Sequence, residues 1–483
     1  MVSGDATALR HTLVDSLLAA GLIQTPAVEH AFRTVPRHLF LPGTELPEAY
    51  ADEAIVTKWA ADGRPLSSSS QPAIMALMLE QLDVRPGHRV LEIGAGTGYN
   101  AALLAELVGP SGQVLTIDVD PELADQARAH LAAAGRTETG RPGAGGEPPV
   151  AGAGPTGPTG TAAESGGPVA AEPGRPGAAE PGRPGADGAA VAGAGPVRVV
   201  CADGADGDPA GGTFDRIIVT AGAWDLAPAW HQQLAAGGRL VLPLAIRGMQ
   251  RSVGLEPDGA GWRSVSVIDG GFMPLRGAMA EPGGPRRLGD VAGLFIALDD
   301  DRELDTDALY AALAGPGVPV PVGVPLEQHE VWTGLSLWLA LHEPDYCGLS
   351  ALGPAVERRL VPPLFAFAGH AATLGLVGPA SLAILAGAGG SVDPPAGRGS
   401  AADAADGSTA GPALVARGHG PAGPDLARRL ADQVRAWADA GRPGTTRLRI
   451  RAYPPGTEPV PAEPGAVVVA KRHTRLILDW PGG

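Results

Sequence analysis

The strongest constraint on this chain is the stretch Arg89-Val90-Leu91-Glu92-Ile93-Gly94-Ala95-Gly96-Thr97-Gly98, where an apolar run ends in a glycine-rich turn. Val90, Leu91 and Ile93 read as the end of a strand covered on both faces, and residues 101–107 (AALLAEL) continue as a helix. Turn residues without Cβ let the backbone approach a ligand closely at a helix N-terminus. The spacing G-x-G-x-G departs from the G-x-G-x-x-G of dinucleotide sites, which argues against a nicotinamide oxidoreductase. About 20 residues further on, Val114-Leu115-Thr116-Ile117 ends in Asp118, where a carboxylate can accept both hydroxyls of a ribose. The pair of signals points to an adenosine-bearing ligand without a pyrophosphate, of which S-adenosylmethionine is the commonest. A tight strand-to-helix turn that needs glycine for its own sake is the competing reading.

Length and composition bound the rest. At 483 residues the chain has room for two domains, but 71 glycines and 48 prolines show that part of it cannot be core. Residues 137–195, with AEPGRPGA at 171–178 and again at 179–186, are expected to be disordered, and so is a second linker at 387–412. The net charge of −16 argues against a nucleic-acid partner. Two cysteines, Cys201 and Cys347, make no disulfide framework and no zinc spacing; no metal is expected, and a reducing cytoplasm fits. Neither a signal sequence nor an apolar run of 18 residues occurs, so a cytoplasmic protein without a membrane partner is expected. His329 and His473 lack ligand spacing and read as structural or surface groups, and Cys201, closing a strand, as a small core residue.

Along the chain, residues 7–20 form an amphipathic helix and Thr25-Pro26 caps a second. Residues 41–66 are turn-rich. Ser67-Ser68-Ser69-Ser70-Gln71-Pro72 precedes an apolar helix over 73–82, and a serine cluster there reads first as a cap. Beyond Asp118 come a helix (121–134), a strand (197–201) ending in Ala202-Asp203-Gly204, a strand (216–220), a helix (228–236), Gly237-Gly238 and a strand (239–242). This alternation predicts a doubly wound parallel sheet. Residues 251–256 and 262–268 read as an antiparallel pair at one edge of it. After a boundary at 282–287 the acidic run 299–307 caps a helix over 308–314, and the tail combines an amphipathic helix (425–438) with the alternating Arg447, Arg449 and Arg451 and strands over 467–480.

Several of these motifs together resemble the protein-L-isoaspartate O-methyltransferase family. Val35-Pro36-Arg37 with Phe40 is similar to its V-P-R-x-x-F, Ser68-Ser69-Ser70-Gln71-Pro72 to its T-I-S-Q-P segment, and Val90–Tyr99 to its cofactor turn. Asp203-Gly204, residues 217–221 (IIVTA) and Gly237-Gly238-x-Leu240-Val241-x-Pro243 follow in the family's order. The resemblance implies an α/β fold, a seven-stranded Rossmann-like methyltransferase sheet with an N-terminal helical cap, over residues 1–283. Residues 284–483 would be a C-terminal α+β domain serving substrate binding. Gly271 to Gly277 (GFMPLRG), Asp345-Tyr346-Cys347 and Lys471-Arg472-His473-Thr474 resemble an extended, FxLD-type branch associated with ribosomal-peptide modification.

Carried over position by position, the resemblance assigns Glu92, Gly94, Gly96, Gly98, Asp118, Asp203 and Gly204 to S-adenosylmethionine. Ser68 and Ser70 become the residues at the reacting carboxylate, and Ser70, Gln71, Thr220 and Ala221 the substrate contacts. It implies methyl transfer to an isoaspartyl or aspartyl side carboxylate of a peptide or protein, followed by succinimide closure. Two alternatives are a dedicated aspartate methyltransferase for a lanthipeptide-like precursor and a non-catalytic peptide-binding module on the same fold.

Overall fold

A computed structural model describes residues 2–60, 65–136, 194–208, 211–280, 285–367, 370–387, 414–457 and 465–481. The insertion expected to be disordered and the linker at 387–412 lie outside the described residues except for residues 194, 195 and 387.

The strands are β1 (Ile55–Trp59), β2 (Pro65–Ser69), β3 (Arg89–Ile93), β4 (Gln113–Asp118), β5 (Val197–Cys201), β6 (Phe214–Val219), β7 (Leu234–Ile246), β8 (Met249–Asp258) and β9 (Gly261–Asp269). The second half adds β10 (Arg286–Arg287), β11 (Leu294–Ala297), β12 (Val318–Pro321), β13 (Tyr346–Leu352), β14 (Phe365–Phe367), β15 (His370–Val377), β16 (Leu382–Gly387) and β17 (Leu414–His419). It ends with β18 (Arg449–Tyr453), β19 (Val467–Ala470) and β20 (Arg475–Asp479).

The central sheet runs β19-β20-β18-β9-β8-β7-β6-β3-β4-β5. From β5 to β7 all neighbours are parallel. Val90 and Leu91 have no exposed surface, as strands covered on both faces require. Strand order reverses at β3: β4 and β5 lie on one side and β6 and β7 on the other. The crevice beyond the carboxyl ends of β3 and β6 is therefore the topological switch point, where open α/β sheets bind ligands. The doubly wound Rossmann-like sheet is thus present, and β3 to β9 are its seven strands.

On one face the sheet is covered by α1 (Val2–Ala19), α2 (Pro26–Thr34), α4 (Pro72–Leu82) and α5 (Tyr99–Val108), whose Leu13, Phe32, Leu79 and Leu104 share a core with Val90 and Val114. A one-turn helix, α3 (Leu46–Ala49), joins α2 to the first hairpin. Thr25 caps α2 as expected, accepting from the Val28 amide at 3.4 Å. On the other face Leu91, Ile117 and Trp230 pack with Leu337, Leu341 and Leu448 from beyond residue 284.

Four local expectations change. The serine cluster is not a cap: residues 67–69 belong to β2, paired with β1, and Asp52 accepts from the Ala73 amide at 2.8 Å at the start of α4. The helix at Pro228 stops at Gln233, and β7 begins at Leu234 and runs through the two glycines. The β8–β9 pair is not at an edge, because β18 adds to β9. Cys201 is exposed, since β5 is the edge strand.

Past residue 284 the chain also builds a second, antiparallel sheet ordered β10-β11-β13-β15-β16-β17-β12, with the helix Gly423–Asp439 packed on it through Leu426, Leu430 and Val434. Asp305 caps the helix Thr306–Ala314, accepting from the Ala308 amide at 2.9 Å. Arg449 and Arg451 both reach Asp479 on β20, at 2.7 and 3.4 Å, while Arg447 lies in the 3-10 turn before β18, so the expected arginine face is divided and partly paired within the sheet. Among the described residues no helix is long and apolar enough to cross a membrane.

Candidate functional site

At the switch point the backbone leaves β3 with φ of +100° at Gly94 and +50° at Gly96. A Cβ on Gly94 would stand 2.5 Å from Thr220 Oγ1. That hydroxyl, at the end of β6, donates to Gly94 O at 2.7 Å, so the Thr220 side chain ties the two strand ends together. Gly98 (φ +85°) caps α5, and a Cβ there would lie 3.3 Å from Ala127 O on the helix α6 (Pro121–Ala133). His130 on α6 places Nδ1 3.0 Å from Thr97 O, which orients its N–H toward the turn. The loop is thus fixed from β6 and from α6.

The turn opens onto a cavity of about 750 Å3. Ser68, Ser70, Gln71, Gly94, Gly96, Asp118, Thr220 and Ala221 stand on its wall, so most of the expected site residues come together. Strand β2 lies across the turn, with Ser68 O 3.8 Å from where a Gly96 Cβ would be. Gln71 donates its amide to Asp52 Oδ2 at 3.0 Å, which commits that end of the side chain to holding the segment in place.

The other expected residues stand off the wall. Glu92 is fully buried behind it and accepts from Asn100 Nδ2 at 2.8 Å; Asn100 is itself on the wall. Burial pushes the Glu92 carboxyl up to about 7, against the opposing hydrogen bonds. Asp203 accepts from the Ala205 and Ala278 amides at 2.9 and 2.8 Å. Gly204 lies where a Cβ would meet Ile93 Cγ2 at 2.3 Å. Gly98 acts through packing, as described above.

Asp118 accepts from the Gly96 amide at 3.0 Å with one oxygen and from the Asp120 amide at 3.0 Å with the other. Beside it, burial raises the Asp120 carboxyl, but hydrogen bonds from Lys58 and Arg276 outweigh that and hold its pKa down at about 2. Arg276 belongs to a strap, residues 270–276, tied to the Gly222 backbone by hydrogen bonds from the Gly222 amide to Met273 O and from the Leu275 amide to Gly222 O. The only sequence signal for Arg276 is the GFMPLRG motif. Asn100, His130 and Gln250, whose Oε1 accepts from the Phe272 amide at 2.6 Å, carried none.

A family model described as protein-L-isoaspartate(D-aspartate) O-methyltransferase matches residues 8–145 and 187–276. The protein-L-isoaspartate O-methyltransferase of Methanopyrus kandleri is 34% identical over 241 residues, covering 50% of this chain and 79% of that protein. That of Methanoregula boonei is 33% identical over 271 residues, covering 56% of this chain and 93% of its own. The chain belongs to the protein-L-isoaspartate O-methyltransferase family. A solved protein-L-isoaspartate O-methyltransferase aligns with 92% of this chain and 96% of its own at 18% identity, with a TM-score of 0.43.

As a member of the isoaspartyl methyltransferase family, the chain is an S-adenosylmethionine-dependent O-methyltransferase, and its residues fit that co-substrate. The turn at Gly94 and Gly96 brings bare backbone to the cavity wall, and Asp118 brings a carboxylate to it at the strand end beside the turn. The family match ends at Arg276, the last residue of the strap, so the second sheet lies outside the matched region.

Proposed function

We propose that the chain methylates the side carboxylate of an isoaspartyl residue in a peptide or protein. The observation that carries this reading is the single cavity in which Ser67 to Gln71 meet the Gly94–Gly96 turn and Asp118. S-adenosylmethionine supplies the methyl group as an electrophile. An ionised carboxylate, with an ordinary pKa of about 3.9, is already a nucleophile at neutral pH, so no strong base is required of the chain. Its task is alignment, which can be worth about 7–11 kcal/mol when the reacting atoms are held in line.

In this reading Ser70 donates its hydroxyl hydrogen bond to the carboxylate, Ser68 supports it from the same segment, and Thr220 and Ala221 bound the pocket. Glu92, Gly98 and Asp203 act from behind the wall, holding Asn100, the turn and the strap, and Gly204 leaves room for Ile93. The methyl ester carries methoxide, a better leaving group than the oxide of a carboxylate, so the next backbone nitrogen can attack the ester carbonyl and expel methanol, closing a succinimide that hydrolyses to aspartate or isoaspartate. Residues 284–483 act as the substrate-binding extension. An ordinary aspartate in a maturing precursor peptide is the alternative substrate.

Ser70→Ala tests the pocket. It should lower kcat/KM for an isoaspartyl peptide by about tenfold or more, the loss of a hydrogen bond to a charged group, while the KM for S-adenosylmethionine holds. Undiminished activity would show the pocket to be wrongly assigned.

A further inference from the structure

The family match stops at residue 276, yet the cavity wall includes a residue from well beyond it, His370. Among the described residues it is the sole wall residue from past the strap. His370 opens β15, where its backbone pairs with Leu352 on β13 and Phe367 on β14, so its position is set by the second sheet.

That sheet is fastened next to the cavity. Tyr346 on β13 donates its hydroxyl to Met249 Sδ at 2.9 Å, and Met249 stands between Gly248 and Gln250, both on the wall. The following residue, Arg251, is fully buried and donates to Trp332 O and Ser336 Oγ from the second half of the chain, at 2.9 and 3.2 Å. The second half is therefore held at the rim by packing and by a buried guanidinium, and it brings the polar residue His370 to the cavity wall.

The chemistry of that side chain narrows what it meets. His370 is exposed at the rim, yet partial desolvation by its neighbours lowers the pKa of the imidazole below its ordinary value, which favours the neutral ring at physiological pH. A neutral imidazole carries one donor and one acceptor, as a peptide group does. The segment at Ser70 serves the reacting carboxylate, which leaves the backbone of the same peptide to be held elsewhere on the wall.

We propose that His370 is a substrate-contacting specificity residue, hydrogen-bonding a backbone amide of the bound peptide close to the residue that is methylated. Through it the second sheet takes part in choosing the peptide. The proposal rests on the reading of the chain as a peptide carboxyl methyltransferase.

The test uses the full chain with His370→Ala and His370→Asn. Affinity for an isoaspartyl peptide is measured by titration in the presence of S-adenosylhomocysteine, alongside steady-state kinetics and thermal unfolding. The Ala variant should raise the peptide Kd and KM by about tenfold, the scale of one hydrogen bond, and Asn should restore part of it. The KM for S-adenosylmethionine and the unfolding midpoint should stay within error. Peptide constants unchanged in His370→Ala, with the wild type active, would overturn this contact alone. Equal losses in cofactor KM and thermal midpoint would make His370 structural and overturn it as well. A wild type that methylates neither isoaspartyl nor aspartyl peptides would sink the functional reading and the contact together.

Discussion

Arg276 Nη1 donates to Asp120 Oδ2 at 2.9 Å, while Nη2 lies 3.6 Å from Asp118 Oδ1. The strap is thereby tied to the end of β4 that carries the carboxylate assigned to the ribose. Arg276→Ala should free both ends and raise the KM for S-adenosylmethionine by roughly two- to fivefold, the range for a part-exposed ion pair. Isothermal titration with S-adenosylhomocysteine measures the same change without turnover. An unaltered affinity would mean that the strap does not organise Asp118.

Gly94 admits no side chain. Its φ of +100° and the 2.5 Å approach of Thr220 Oγ1 to a Cβ both oppose one. Gly94→Ala should abolish detectable cofactor binding or lower it by about 100-fold, and Thr220→Ala in the same chain should restore only part, because the backbone strain remains. Full restoration by the double variant would assign the whole effect to the clash.

Glu92 predicts a pH dependence of stability. Its folded pKa of about 7 lies above the unfolded carboxylate value of about 4.3, so its contribution is fully present below that value and is lost as pH rises through 7. At about 1.4 kcal/mol per pKa unit the loss is on the order of 4 kcal/mol. Glu92→Gln keeps an oxygen for Asn100 and cannot ionise. The difference in thermal midpoint between variant and wild type should therefore widen in the variant's favour from pH 5 to pH 8, and a difference constant over that range would contradict it.

Arg251 should be the costliest single truncation at the junction of the two sheets. Its guanidinium serves Thr445 Oγ1 at 2.9 Å, Asp269 Oδ1 at 3.0 Å, Trp332 O and Ser336 Oγ from a position without exposed surface. Arg251→Ala leaves these acceptors unmatched and should destabilise by about 3–5 kcal/mol in denaturant unfolding. A shift under 1 kcal/mol would show that water replaces the guanidinium.

The parts that were legible in the sequence are those set by near neighbours. An apolar run, three glycines and a helix state the β3 turn locally, and Thr25-Pro26 states the start of α2 in the same way. Ser67 to Ser70 misled because serine has a strong local meaning as a cap and little as a strand. Pairing with β1 decides their structure, and Asp52 supplies a side-chain acceptor at the start of α4. Cys201 read as core because a strand's composition does not reveal that it lies at an edge. The pairing of β18 with β9 and the arrival of His370 at the cavity are long-range consequences of packing, with no residue pattern to announce them.

The most direct measurement is mass spectrometry of methyl transfer from isotopically labelled S-adenosylmethionine to two peptides identical except for isoaspartate or aspartate at one position. One labelled methyl is expected on the isoaspartyl peptide, followed by loss of methanol as the succinimide closes, and none on its partner. Label on the aspartyl peptide alone, or on neither while S-adenosylhomocysteine binds, would contradict that expectation.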